Sequence, residues 1–358
     1  LARFTGTPAK AFVSGTLATM ALQSSTATTV TLIGFVSAGL ISFSQAIGVL
    51  IGASLGNTAT GWIVATLGLK VSLGFYTLPL IGLGALLKLL TTGRMTDLGM
   101  AMAGFGLMFL GLDTLQQGMR GLAGAFDLAT LPSGGFWATV LTMLIGLALT
   151  AVLQSSTAAI ATTLAALHTQ AINFDQAAAV VVGAAVGTTL TGALVAVGGT
   201  IHAKRTALAY ILFNAVAGAI AIGLLPVFLW VIGWLGTYAG LDAGATSLAA
   251  FHTLFIAVGV VLFLPFVSPF ARLVERFLPE RGDAATQRLD ASLLSIPAVA
   301  LEASQRALER TTLELLEVYG EMLSGAASTP HEAQLREAAP SLNDTYNFVS
   351  RIAVPADD

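Results

Sequence analysis

Gln23-Ser24-Ser25-Thr26, followed by Thr28, Thr29 and Thr31, sets amide and hydroxyl side chains in the middle of an apolar run from 11 to 41. The same four residues return as Gln154-Ser155-Ser156-Thr157. Sliding the chain on itself by 131 positions lays residues 15–68 over 146–199 without a gap and with about 20 identities. The first half is a copy of the second, and the tetrad sits at the same place in each.

The setting of the tetrads is a membrane. Hydrophobic residues make up 55% of the 358-residue chain, charged ones 10%, and the mean hydropathy is +0.83, far from the balance of a soluble domain. No Asp, Glu, Lys or Arg occurs between Lys10 and Lys70, between Asp127 and Asp175, or between Arg205 and Asp242. About 20 apolar residues suffice for one crossing, so each gap holds crossings or hairpins. The net charge of -3 divides into +3 over residues 1–271 and -6 over 272–358, which marks the tail as a soluble segment. No basic stripe suggests a nucleic-acid partner. With no cysteine, disulfides, thiolate zinc sites and thiol catalysis are excluded.

The run from 11 to 41 is longer than a straight crossing needs and is interrupted by the tetrad. Two half-helices meeting near Gln23 to Ser25, as a re-entrant hairpin or a broken span, fit it better. Non-helical backbone at membrane depth is tolerated only where it is buried in protein or lines a cavity. Residues 45–68 form a Gly-rich segment with Gly52-x-x-x-Gly56, and 71–92 and 98–118 read as spans. Asp127 to Pro132 reads as a loop. The second copy repeats the order, with its tetrad in 135–167 and Gly183-x-x-x-Gly187 in 176–199. Glycine pairs at this spacing are close-packing devices.

Lys204 and Arg205 open a segment to about Gly236 that Pro226 kinks or breaks, and a further span covers 247–270. Arg272, Arg276 and Arg281 place its end on the cytoplasmic side by the positive-inside rule. From Pro297 the chain reads as helical. Leu301, Leu308, Leu315 and Met322 recur every seven residues as an apolar face, and a second helix covers 331–352. Two such helices bury too little to stand alone. The organisation expected is residues 1–131 as the first repeat with its linking helices, 132–278 as the second with the final helices, and 286–358 as the soluble segment. The chain starts with Leu1, and the segment from Gly99 to Gly118 before the second copy has no counterpart before the first. A preceding helix is therefore expected to be missing, and the tail to be incomplete.

One tetrad alone would be read as interhelical hydrogen-bond glue. Two at equivalent places in two repeats match the plan of secondary transporters, whose sites lie near the midplane where broken helices meet. Hydroxyls, amides and free N–H groups at a half-helix N-terminus make an anion cradle. The same oxygens suit a hard cation. No basic residue lies in the repeat cores, so an entering anion must bring cations to balance its charge. Asn57, Thr58 and Thr60, with Thr188, Thr189 and Thr191 at the same distance from the second tetrad, form the candidate second wall. Asn214 and His252, in Tyr210-Ile211-Leu212-Phe213-Asn214 and His252-Thr253-Leu254-Phe255, are further intramembrane polar candidates.

The doubled Gln-Ser-Ser-Thr with Gly-x-x-x-Gly-[Asn/Thr]-Thr resembles the type II sodium-dependent phosphate cotransporters, whose signature is a repeated Gln-Ser-Ser-Ser. The stretches Arg205 to Asn214 and His252 to Phe255 resemble further family segments, and Pro297 to Leu323 resembles the start of a PhoU-like helical domain. The resemblance implies an all-α polytopic membrane protein with two inverted repeats and re-entrant hairpins. It further implies a midplane site, alternating access and a homodimer in the bacterial inner membrane with its tail cytoplasmic.

Carried over, the family's phosphate-cradling and sodium-binding positions fall on Gln23, Ser24, Ser25, Gln154, Ser155 and Ser156. With Thr26 and Thr157 the two tetrads are the expected phosphate site, and Gln23, Ser25, Gln154 and Ser156 with Asn57, Thr58, Thr188 and Thr189 of the second wall are the expected sodium ligands. Sodium is the coupling ion, and no organic cofactor is implied. Thr26 and Thr157 replace the final Ser of each signature. The family's Asn between the glycines is Ser54 in one copy and Ala185 in the other. The family's His before Phe-Asn is Tyr210, and its Asn after His-Thr-Leu-Phe is Ile256.

The function expected is sodium-coupled symport of inorganic phosphate across the bilayer. A phosphate-binding membrane sensor signalling through the tail is the alternative. Intramembrane hydrolysis by a Ser nucleophile lacks an activating base beside either tetrad, so an enzyme is not expected.

Overall fold

The computed structural model describes residues 5–70, 74–125, 134–197, 199–242, 244–279, 289, 293–294, 297–324 and 329–352. The expected loop from Asp127 to Pro132 lies outside the described residues. The chain is an all-α polytopic membrane protein, and six of its described helices are long and apolar enough to cross a bilayer.

Each tetrad breaks a helix into a hairpin. Helix α1 (Pro8–Leu22) begins on Thr7, whose side chain accepts from Lys10 N, with Pro8 in the first turn. It stops where Gln23 enters the left-handed region at φ 51°. Ser24 is extended and caps α2 (Ser25–Ser37) by accepting from Ala27 N at 3.1 Å. A turn at Gly39 leads to α3 (Phe43–Ile63), opened by a reciprocal cap between Ser42 and Gln45 and continued by a π-helical stretch over Val64–Lys70.

Close packing fixes how these helices run. Gly48, Gly52 and Gly56 of α3 face Pro8, Phe12 and Thr16 of α1 in step, so α1 and α3 are parallel. Helix α2 must therefore run back against α1, and Thr19 of α1 donates across to Thr28 of α2 at 3.0 Å. At 1.5 Å per residue the 15 residues of α1 reach about 22 Å, short of a ~30 Å core. The hairpin is re-entrant rather than a broken span. A Cβ at Gly52 would overlap the Phe12 carbonyl oxygen, so only glycine lets the two backbones meet there.

Helices α4 (Gly74–Leu90) and α5 (Arg94–Ala125) pack antiparallel, Gly84 against Gly99 and Ala103. The second copy follows as α6 (Phe136–Leu153), α7 (Ser156–His168) and α8 (Phe174–Ala196). Gly146 faces Val180 and Gly183 faces Met143, the same contacts as Gly15 with Val49 and Gly52 with Phe12. The Gly-x-x-x-Gly pairs are packing devices, as their spacing suggests.

The two copies are inverted. Ser37, at the mouth of the first hairpin, hydrogen-bonds Thr200 at 2.9 Å just beyond the far end of α8. The start of α8, where the second hairpin opens, lies at the opposite face.

Helix α9 (Ile201–Gly223) returns across the membrane, ends at Leu224 and gives way to α10 (Leu225–Ala239), with Pro226 in its first turn. Helix α11 (Ala245–Phe263) crosses back and continues through a short 3-10 turn into α12 (Val267–Phe277). Arg205 Nε, at the start of α9, donates to Leu278 O just past α12 at 2.9 Å, so these two ends share a face. The expected crossing from 206 to 236 is thus one crossing plus a helix that stays on the far side, because Pro226 ends the first helix. Lys10, Lys204, Arg205, Arg272 and Arg276 gather at the face where the first hairpin opens, Asp175 and Asp242 at the other.

The tail forms α13 (Pro297–Leu323) and α14 (Thr329–Val349). Its buried face differs from the leucine stripe expected. Leu301, Leu308 and Met322 are exposed, whereas Ala300, Ala303, Ala307 and Thr311 are buried. Small side chains admit the closest approach, and they win the contact. Ala300 and Ala303 join Leu293, Phe348 and Ala38 in one apolar cluster, Leu293 lies against Gly34, and Arg306 donates to Gly39 O at 2.8 Å. The tail is seated on the mouth of the first hairpin.

Candidate functional site

Both hairpin tips have the same backbone. Gln154 repeats the left-handed turn at φ 50°, and Ser155, extended like Ser24, caps α7 by accepting from Ala158 N at 3.2 Å. Each cap satisfies one first-turn N–H. The N–H groups of Ser25 and Thr26, and of Ser156 and Thr157, open their helices and have no carbonyl of a preceding turn to meet. Each half-helix N-terminus adds a partial positive charge of about half an elementary unit.

Both tips reach the same helix, α3. Asn57 Nδ2 of α3 donates to Ser156 Oγ of the second tip at 3.4 Å, and Thr60 Oγ1 of α3 donates to Gln23 Oε1 of the first tip at 2.9 Å. Helix α3 thus holds a residue of each tetrad. On the other side a gap too narrow for a water molecule lies between Thr26, Thr29 and Val30 of the first hairpin, Thr188 and Gly192 of α8 and Tyr210 of α9. Asn57 lies well inside α3, so the crossing is near mid-helix.

The predicted residues divide into two groups. Gln23, Ser24, Ser25, Thr26, Ser155, Ser156, Thr157, Asn57 and Thr60 are tip residues or touch one. Thr188 lines the gap, with its hydroxyl turned back to Ala184 O at 3.0 Å. Thr58 and Thr189 likewise bond their own helices, at Leu55 O and Val186 O. Gln154 is exposed, unlike Gln23. Asn214 Nδ2 donates to Tyr210 O at 3.1 Å, and His252 is buried and stacked on Phe255. Neither is hydrogen-bonded to a tetrad residue.

Two buried oxygens at the crossing have no hydrogen-bond partner: Asn57 Oδ1 and Thr29 Oγ1. Orphaned acceptors of this kind fit a hard cation, which takes neutral oxygens. A third orphan, Thr150 Oγ1, marks where the copies differ. Its counterpart Thr19 bonds Thr28, but the residue equivalent to Thr28 is Ala159.

Tyr210 of α9 also reaches this region, from outside both repeats. Its side chain is buried and lines the narrow gap beside Thr26, Thr29 and Thr188. A tyrosine in a helix otherwise lined by Ala, Ile, Leu and Phe was the available signal.

Inverted repeats with re-entrant tips held on one central helix match the plan of repeat-built membrane transporters. The chain belongs to the Na+/Pi-cotransporter family, whose model matches residues 1–117 and 135–277. It is 33% identical over 283 residues to "Uncharacterized protein YqeW" of Bacillus subtilis, covering 78% of this chain and 87% of that protein. It is 27% identical over 349 residues to "Putative inorganic phosphate export protein YjbB" of Escherichia coli, covering 95% of this chain and 62% of that one. The Salmonella typhimurium protein of the same name is 26% identical over 350 residues, with the same coverage. The chain therefore spans less than two thirds of the length of these last two relatives. No solved structure matches it significantly.

Proposed function

We propose that the chain moves inorganic phosphate across the cell membrane by alternating access, coupled to sodium. The observation that carries this reading is the hydrogen bond from Asn57 to Ser156, which brings the second tetrad to the central helix of the first repeat. Phosphate is held by the first-turn N–H groups and hydroxyls of Ser24, Ser25, Thr26, Ser155, Ser156 and Thr157, with the amides of Gln23 and Gln154 at the rim. Sodium takes the neutral oxygens, among them Asn57 Oδ1, Gln23 Oε1 and Ser25 Oγ. The anion and cations enter together because neither can be buried alone at bearable cost. The face carrying Lys204, Arg205, Arg272 and Arg276 is the cytoplasmic one, and the tail lies with it.

Purified protein in liposomes tests this. Radiolabelled phosphate should move when a sodium gradient is imposed in either direction, and Ser155→Ala should weaken phosphate binding. Absence of gradient-driven flux together with unchanged binding in Ser155→Ala rules the reading out. The printed name of the Escherichia coli relative speaks of export, so flux is to be measured both ways.

The seat of the tail on the first hairpin favours a second reading, a phosphate-responsive sensor that signals through α13 and α14. Removing 286–358 separates the two. A transporter keeps flux, and a sensor loses its output.

A further inference from the structure

The two hairpins share a backbone plan, yet the first is tied down from tip to mouth. Thr19 Oγ1 of α1 donates to Thr28 Oγ1 of α2 at 3.0 Å. The Gln23 amide at the tip donates to Met20 O at 2.6 Å and accepts from Thr60 at 2.9 Å. At the mouth Ser37 bonds Thr200 at 2.9 Å, and Arg306 of the tail donates to Gly39 O at 2.8 Å. Helix α2 is thus bonded to α1, to α9 and, through the turn that follows it, to the tail.

Among the described residues the second hairpin repeats none of these ties. Ala159 stands where Thr28 does and leaves Thr150 Oγ1 without a partner. Gln154 is exposed, and no hydrogen bond joins it to Thr191, which stands where Thr60 does. His168 and Gln170, in the places of Ser37 and Gly39, line an open pocket of about 440 Å³. The hydroxyls of Thr162 and Thr163 turn back to Ala158 O and Ala159 O of α7 itself. What holds α7 to its neighbours is the 3.4 Å bond of Ser156 with Asn57 and the burial of apolar side chains such as Ile160 and Leu164. Apolar contact is non-directional, so it lets a helix slide where hydrogen bonds would pin it. Helix α6 has no such freedom, because Gly146 on Val180 and Gly183 on Met143 clamp its backbone to α8.

We propose that α7, carrying Ser155 to Thr157, is the moving gate of this chain and that the first hairpin is a fixed wall. The gate opens toward the face opposite the tail, where the pocket beside His168 and Gln170 gives the end of α7 room to shift. The inference rests on the alternating-access reading above and deepens it by naming the element that moves. Half of the site then travels with α7 while the half on Gln23 to Thr26 stays in place.

The test compares the two hairpins in the purified full chain. Without ligand, amide hydrogen exchange should run about tenfold faster in α7 than in α2, and sodium with phosphate should slow it in α7 alone. Ala159→Ser offers Thr150 the partner that Thr28 gives Thr19. It should protect α7 and slow sodium-driven phosphate flux in liposomes about fivefold, the worth of one net hydrogen bond. Half-saturating phosphate and sodium, read by thermal-shift titrations, should stay within about twofold. Thr19→Val, which unties the first hairpin at the equivalent place, should leave flux within about twofold. Equal protection of α2 and α7 in the unliganded wild type overturns the assignment even if Ala159→Ser folds poorly. So does unchanged flux in an Ala159→Ser chain whose α7 has become protected. A wild type that moves no phosphate while α7 still exchanges faster brings down the transport reading and leaves the mobile hairpin standing.

Discussion

Asn57 and Ser156 are 99 residues apart in sequence, and their hydrogen bond of 3.4 Å is the contact through which α3 of one repeat holds the tetrad of the other. Replacing Asn57 by Ala removes both this bond and the orphaned Oδ1. Phosphate and sodium should each bind roughly 3–10-fold more weakly, the worth of one net hydrogen bond, as measured by the same thermal-shift titrations. Unaltered binding of both would detach α3 from the site.

The hydroxyls of Thr19 and Thr150 predict opposite signs for the same substitution. Thr19→Val breaks a buried bond to Thr28, whose hydroxyl keeps its bond to Ser24 O, at a cost of about 1 kcal/mol. Thr150→Val removes an oxygen that is already unpaired and should be neutral or stabilising by up to ~1 kcal/mol. Melting temperatures in detergent decide it, and equal destabilisation by both would contradict the difference between the hairpins.

Glycines divide in a similar way. Gly183→Ala drives a Cβ into the Met143 backbone and should cost at least 1–3 kcal/mol, as overpacking of a tight interface does. At Gly104 a Cβ meets nothing within 4 Å, and Ala should stabilise the helix by up to about 1 kcal/mol. The yield of monodisperse protein and its melting point report both.

Leu293 is fully buried between the first hairpin and the tail. Leu293→Ala should loosen that seat by roughly 2–5 kcal/mol. Hydrogen exchange should then speed up in α13 and α14 while α8 and α9 keep their protection. Unchanged exchange in α13 would mean that the seat is held elsewhere, for instance by Arg306 on Gly39.

Much of the fold was legible because duplication is a pattern in the sequence itself. The tetrads break two helices, the glycine pairs pack them, and the hydropathy fixes the class. Re-entrance needed the register of Gly48, Gly52 and Gly56 on α1, which no local pattern carries. In the tail, periodicity finds the leucines, whereas the contact with the first hairpin is made by the small side chains Ala300 and Ala303. At the site, Tyr210 comes from outside the repeats, so comparing the copies could not reveal it. The loss of Thr28 at Ala159 was visible in that comparison. Its effect on Thr150 was not, since only the hairpin brings those positions together.

Both hairpin tips are held on α3, and no Asp, Glu, Lys or Arg lies between Lys10 and Lys70 or between Asp127 and Asp175. A membrane potential of 100 mV does about 2.3 kcal/mol of work per elementary charge moved across it. On the proposed function, the full charges in the repeat cores that feel that field are those of the ions carried. Voltage would then drive or oppose the loaded step according to the ions aboard, and leave the unloaded hairpins almost untouched.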